Sequence, residues 1–224
     1  IGIGYWFGKK NPNFKSDIIT NFAGKIGVPA LLFYSLAASN TLDFSTFIQF
    51  GLLTFIFVGC FSILGIIVLK LLKRDQVTEL GPLILPNTGN LGLPICLFAY
   101  GDKGFSIASS IAAVIMLLHF TLGIFIASKK FSLRPLIESI PMHSLLISGV
   151  MLYFNIKPPV FLVNTTMLLS YSTIFLILAS LGIALSNLKT KNFKSNSVIS
   201  IVRLISGPVI ALLIIYSFGL KSYE

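Results

Sequence analysis

Apolar runs of roughly the length needed to cross a bilayer alternate with short polar segments along the chain. After a short stub at 1–8, the runs fall at 18–38, 46–71, 81–100, 105–128, 135–154, 160–186 and 197–219. The pattern predicts an all-α polytopic membrane protein with seven full transmembrane helices behind an N-terminal stub. The run at 160–186 is longer than a crossing needs and predicts a tilted helix. The stub, "IGIGYWFG", reads as the last turns of a helix whose start is missing, and "YSFGLKSYE" stops just after another helix. The chain is therefore expected to be a fragment of a longer protein, folded as one partial membrane domain over 1–224.

Loop charge tests the series. If the runs are real spans, every second loop should carry the Lys and Arg residues. One set of loops holds Lys9, Lys10, Lys15, Lys70, Lys73, Arg74, Lys129, Lys130, Arg134, Lys189, Lys191 and Lys194; the other holds Lys103, Lys157 and Lys221. Twelve basic residues against three is the alternation that a correct span series requires. It places the basic loops on the cytoplasmic side. Lys25 and Arg203 fall inside helix ends, where each is expected to snorkel to the interface.

Composition agrees. Hydrophobic residues make up 55% and charged residues 11%, against about 25% charged in a soluble domain. In a soluble protein the net charge of +10 would suggest nucleic acid; here it serves membrane orientation, and no nucleic-acid partner is expected. Cys60 and Cys96 lie in apolar runs without metal-ligand spacing and are expected as small buried hydrophobes. His119 and His143 are too isolated for a metal site or catalytic pair; His119 is expected as a packed, neutral residue, with a proton relay as the minority reading. Glu138 and Asp102 are expected to be solvated at helix ends. No Ser-His-Asp spacing, HExxH, Walker loop or intramembrane carboxylate pair is present, so neither an enzyme nor a primary pump is expected, and no metal or cofactor.

One run contains its own interruption. Within "GPLILPNTGNLGLPICLFAYG" lie two prolines, two glycines and two asparagines in nine residues, 86–94, near mid-membrane. Pro86 lacks an N–H, and in a continuous helix its ring would clash with the carbonyl of Pro82. Gly89 and Gly92 lower the cost of non-helical backbone, and Pro94 suits the first turn of a second half-helix. The segment predicts half-helix, unwound stretch, half-helix. Such backbone is tolerated at that depth only beside protein or a water-filled cavity. Half-helix N–H groups attract anions, and Asn87, Thr88 and Asn90 add neutral hydrogen-bonding groups. The alternative is a kink that packs helices and binds nothing, as in a receptor or assembly subunit.

"LPNTGNLGLPICLFAYG" resembles the broken fourth helix of the auxin efflux carrier family, which includes plant PIN-type carriers and bacterial malate permease-like members. "GYWFGKK" with "VPALLFYSLAAS" resembles the family's first two helices, and "RLISGPVIALLI" its eighth. The resemblance covers essentially the whole chain. It implies a ten-helix fold of two inverted five-helix repeats, with 1–128 holding the first repeat, 135–219 part of the second, and helices nine and ten absent. It implies alternating access to a site at the crossover, with Pro86, Gly89, Gly92 and Pro94 shaping the break. Asn87 is expected to meet a substrate carboxylate, with Asn90 and Thr88 as neighbours. Pro29, Tyr34 and Ser35 are expected along the transport path. Asp43 stands where the plant carriers hold an acidic–basic pair, but no lysine matches its partner. The implied partners are a small organic anion and the lipid bilayer, with a homodimer left open. The implied location is a plasma membrane, here a bacterial cytoplasmic one, which the Lys-, Asn-, Ile- and Phe-rich usage of an AT-rich genome fits. A sodium-coupled organic anion symporter of related fold remains an alternative; no acidic cluster at mid-depth supports it.

Overall fold

The computed structural model describes residues 1–39, 41–188 and 193–220, the last stretch with its side chains from Asn196 onward. Lys189, Lys191 and Lys221 of the charge pattern, and the side chain of Lys194, lie outside the described residues. Regular structure among the described residues is entirely helical. The elements are α1 (Gly2–Lys10), α2 (Asp17–Ala38), α3 (Phe44–Leu71), α4 (Gln76–Ile84), α5 (Leu93–Leu118), α6 (Ile124–Ser128), α7 (Arg134–Ile137), α8 (Ile140–Tyr153), α9 (Val160–Ser186) and α10 (Phe193–Phe218).

Asp17–Ala38, Phe44–Leu71, Gln76–Ser128, Val160–Ser186 and Asn196–Phe218 are long and apolar enough to cross a membrane. At 53 residues, Gln76–Ser128 exceeds one crossing. It turns at Gly101, whose φ of 63° suits only glycine readily, so the runs 81–100 and 105–128 are separate passes. The run 135–154 differs from its expected single helix. It divides into α7 and the 14-residue α8. Pro141 opens α8, and Ser139 is extended at ψ 114°. A proline at that point cannot continue the hydrogen-bond ladder from α7.

The helices form two groups. α1, α2, α8 and α9 pack together; α3, α4, the second half of α5, α6 and α10 form the other group. The first is drawn tight by small residues. A Cβ on Gly4 would run into the Ala179 carbonyl, one on Gly8 into Ser186, and one on Gly182 into the backbone of Ile1 and Tyr5. This is the close approach that small residues at four-residue spacing permit between membrane helices. The second group closes around Phe61, Leu69, Leu83, Ile84, Ile115 and Ile210. Between the groups, Leu31, Tyr34, Leu93, Phe105, Ala112 and Ile174 form a shared apolar seam.

The outer faces are apolar, with Leu52, Ile63, Phe98, Leu168 and Leu204 exposed as a lipid-facing surface requires. Cys60 belongs to that surface rather than to a core, because its place on α3 faces outward; Cys96 is half-buried.

Four wide, π-helical turns interrupt the passes, at Ala23–Gly27, Tyr34–Ala38, Thr88–Gly92 and His119–Gly123. Two share a sequence. "AGKIGVP" at 23–29 and "TGNLGLP" at 88–94 carry glycines and proline in the same register. In each, the residue before the proline reaches back five positions: Val28 N–H to the Ala23 carbonyl, Leu93 N–H to the Thr88 carbonyl. The widened register precedes a residue that cannot donate.

Candidate functional site: the crossover cavity

The interruption at Pro86 is built from local rules. α4 starts at Asp75, whose carboxylate accepts from Val77 and Thr78 N–H groups at 3.2 Å, and it ends at Ile84. Leu85, the residue before Pro86, is extended at φ −100°, ψ 103°, as a following proline requires. Asn87 leaves helical geometry at ψ 69°, and its Oδ1 accepts the Asn90 N–H at 3.4 Å. The unwound part is therefore short, 85–87. The wide turn Thr88–Gly92 then leads into α5 with Pro94 in its first turn.

Pro86 has no N–H for the Pro82 carbonyl four residues earlier. An unpaired carbonyl in hydrocarbon is costly. Arg203 of α10 supplies the missing donor, its Nη1 lying 2.7 Å from the Pro82 oxygen. Arg203 thus does more than the snorkelling expected of it: it replaces the donor that the proline removes. The sequence shows a guanidinium in an apolar run and a carbonyl left without its donor, but not that the two meet across 121 positions.

Beside the break lies a cavity of about 260 Å³. Pro86, Asn87, Thr88, Gly89 and Asn90 form one wall; Val28, Leu31 and Leu32 of α2 and Ala112, Ile115, Met116, His119 and Phe120 form the others. Of the expected residues, the fold brings Pro86, Asn87, Thr88, Gly89 and Asn90 together there. Gly92 sits at the end of the wide turn and Pro94 is buried beneath it. On α2 the wall comes from Val28, Leu31 and Leu32. Pro29 instead accepts the Ser144 hydroxyl on its carbonyl at 2.6 Å, Ser35 bonds back to the Leu32 carbonyl at 3.2 Å, and Tyr34 packs against Tyr171 with ring centroids 6.2 Å apart. The wall from Ala112 to Phe120 was not readable as such, because nothing in the pattern says which face of an apolar helix meets a cavity; His119, expected as a packed residue, belongs to that wall.

A second cavity of about 570 Å³ extends toward the Lys/Arg-rich end, lined by Val77, Thr78, Gly81, Pro82, Leu85 and His119 and, on the return pass, by Gly123, Ile124, Ile126 and Ala127. At the opposite end, polar bonds join the two helix groups. The Ser106 hydroxyl meets those of Ser39 at 3.1 Å and Thr41 at 2.5 Å, and Tyr171 OH donates to Asp102 Oδ1 at 3.1 Å. Asp102 and Glu138 are both exposed, the latter paired with Arg134 at 2.7 Å. Among the described residues, no three His, Cys, Asp or Glu side chains gather as cation ligands.

The groups that face the crossover cavity from the break are neutral hydrogen-bonding groups. Asn87 Oδ1 is occupied by its cap, which leaves the amide N–H groups of that side chain as its remaining donors.

The sequence profile of the family described as "Membrane transport protein" matches residues 1–139. The chain belongs to this family. It is the auxin efflux carrier family that the fourth-helix motif resembles. The match runs through the whole of the broken pass and both of its cavities. The chain is also similar to an uncharacterized transporter of Methanocaldococcus jannaschii, 29% identical across 93% of this chain and 73% of that protein. No solved structure matches the chain. Family, relative and apolar passes together make this an integral membrane transporter for a small molecule.

Proposed function

We propose that the protein is a secondary carrier of a small organic anion, a carboxylate, across a bacterial cytoplasmic membrane. The observation that carries this reading is the crossover cavity: a space against broken backbone with Asn87, Thr88 and Asn90 in its wall. Asn87 is assigned as the carboxylate contact, Thr88 and Asn90 as its neighbours, and Pro86, Gly89, Gly92 and Pro94 as the frame of the break. The cavity is smaller than those that take drug-sized ligands, about 300 Å³ or more, and suits a compact acid.

Transport would proceed by one helix group moving against the other around the break. The polar bonds at the end opposite the basic loops, and the cavity on the basic side, support a conformation open toward the cytoplasm. The ten-helix inverted repeat remains part of this reading, with 1–128 as the first repeat and 135–219 within the second. The non-transporting alternative predicts a crossover filled by neighbouring side chains; the cavity beside Asn87 favours the carrier.

The test is uptake of labelled malonate, malate and lactate into proteoliposomes. Asn87→Ala should abolish uptake while insertion is preserved. Undiminished uptake by that variant would remove Asn87 from the site.

A further inference from the structure

Among the described residues, His119 is the one that lines both the crossover cavity and the cavity leading to the Lys/Arg-rich end. It opens the wide turn His119–Gly123, so its side chain stands at the junction of the two spaces. Its Nδ1 lies 2.9 Å from the Ile115 carbonyl. A carbonyl can only accept, so Nδ1 carries the proton. In the neutral ring Nε2 is then a bare lone pair, which repels a carboxylate. Only the imidazolium presents an N–H there.

The remaining walls of both cavities carry no side chain that is charged near neutral pH. An anion entering them is desolvated without a compensating charge unless His119 takes up a proton. The charged groups on elements packed around this turn are accounted for. On α7, Arg134 pairs with Glu138 at 2.7 Å. On α4, Glu79 pairs with Arg74 at 2.7 Å, and Asp75 caps the helix start. Lys129 ends α6, Lys25 on α2 is exposed, and Arg203 of α10 donates to the carbonyl of Pro82, a wall residue of the second cavity, at 2.7 Å. None of these lines either cavity.

We propose that His119 makes carboxylate binding in the crossover cavity proton-dependent, so that one proton from solution binds with each anion as an imidazolium–carboxylate pair. The proposal rests on the carboxylate reading of the cavity, and it adds the coupling ion and the residue that receives it. The direction of coupling follows: anion and proton move together, and neither occupies the site well alone.

The test is equilibrium binding of labelled malonate and lactate to the purified chain in nanodiscs between about pH 5 and about pH 9, the window in which an imidazole titrates. Wild-type affinity should fall about tenfold per pH unit once His119 deprotonates. His119→Gln, which keeps a neutral N–H donor, should flatten the profile. A flat wild-type profile, or a His119→Gln profile as steep as wild type, overturns the proposal and leaves the carboxylate reading standing. No binding of either acid at any pH overturns both. A second readout does not depend on the variant folding. In the ¹⁵N spectrum of histidine-labelled wild type, malonate should raise the titration midpoint of His119 and leave that of exposed His143 in place. An unmoved His119 midpoint in the presence of bound malonate overturns the proposal.

Discussion

The same seven-residue pattern occurs twice, at 23–29 and 88–94, and gives the same wide turn both times. The outcomes differ. In α2 the turn lies within a helix that runs on from Asp17 to Ala38, and Gly27 is pressed against Thr173 of α9. After α4 the turn follows a true break, and at Gly92, the counterpart of Gly27, a Cβ would meet nothing closer than Thr88 at 3.7 Å. The wide turn alone therefore does not interrupt a pass. What the second copy has in addition is Pro86 ahead of it, an extended Leu85, and an arginine from another helix on the carbonyl that Pro86 leaves unpaired. The first copy serves packing in one helix group, and the second leaves room beside the backbone in the other.

Pro86→Ala removes the difference most completely. It restores an N–H that can reach the Pro82 carbonyl, and helix formation at that position gains up to about 3 kcal/mol. Carboxylate uptake in proteoliposomes should be lost while thermal stability in detergent rises. A variant that transports normally would mean that the break is not required.

The two glycines at equivalent places should separate next. Gly27→Ala drives a Cβ into Thr173 and should destabilise by about 1–3 kcal/mol as an overpacked site. At Gly92 the same Cβ meets Thr88 at an ordinary 3.7 Å, and Gly92→Ala should be neutral or slightly stabilising in thermal unfolding.

Arg203→Met keeps the apolar stem but orphans the Pro82 carbonyl, at a cost of about 1–3 kcal/mol. Made in the Pro86→Ala background it should cost much less, since the carbonyl has regained a backbone donor. A double-mutant cycle in thermal unfolding reads this coupling; strict additivity would mean that Arg203 acts elsewhere.

The smallest effect concerns how the two helices start. Ser16 before α2 makes no side-chain cap bond, whereas Asp75 caps α4. Hydrogen bonds from the Thr78 hydroxyl and then the Val77 N–H hold the Asp75 carboxyl below its ordinary 3.8. A depressed carboxylate pKa stabilises above the unfolded value and is lost as pH falls through the folded one. Protection of the Val77 and Thr78 amides against hydrogen exchange should therefore be full above pH 3.8 and be lost as pH falls below it, with no matching transition at the start of α2.

Much of this was legible in the residues. Run length and loop charge gave the passes because bilayer thickness and orientation act on composition directly. Pro86 announced the break, since a missing donor is a local property. Asn87, Thr88 and Asn90 followed because they lie within the break itself. The division at Pro141 was equally local but was masked by the apolar length around it. The repeated heptapeptide was readable too, and with it the wide turns. What the pattern did not reveal was tertiary: which face of α5 meets the cavity, that Val28, Leu31 and Leu32 rather than Pro29, Tyr34 and Ser35 line it, and that Arg203 reaches Pro82. An apolar helix carries little periodic signal to tell its cavity face from its lipid face, and a donor from 121 positions along the chain leaves no mark on the local sequence.

The central claim is that the break at Pro86 opens a water-filled carboxylate site. Asn90→Cys in a background lacking Cys60 and Cys96, probed with a water-soluble maleimide, tests it most directly. The account predicts labelling that malonate, malate or lactate slows. Absence of labelling at every position substituted from 86 to 92, or labelling indifferent to all three acids, would contradict it.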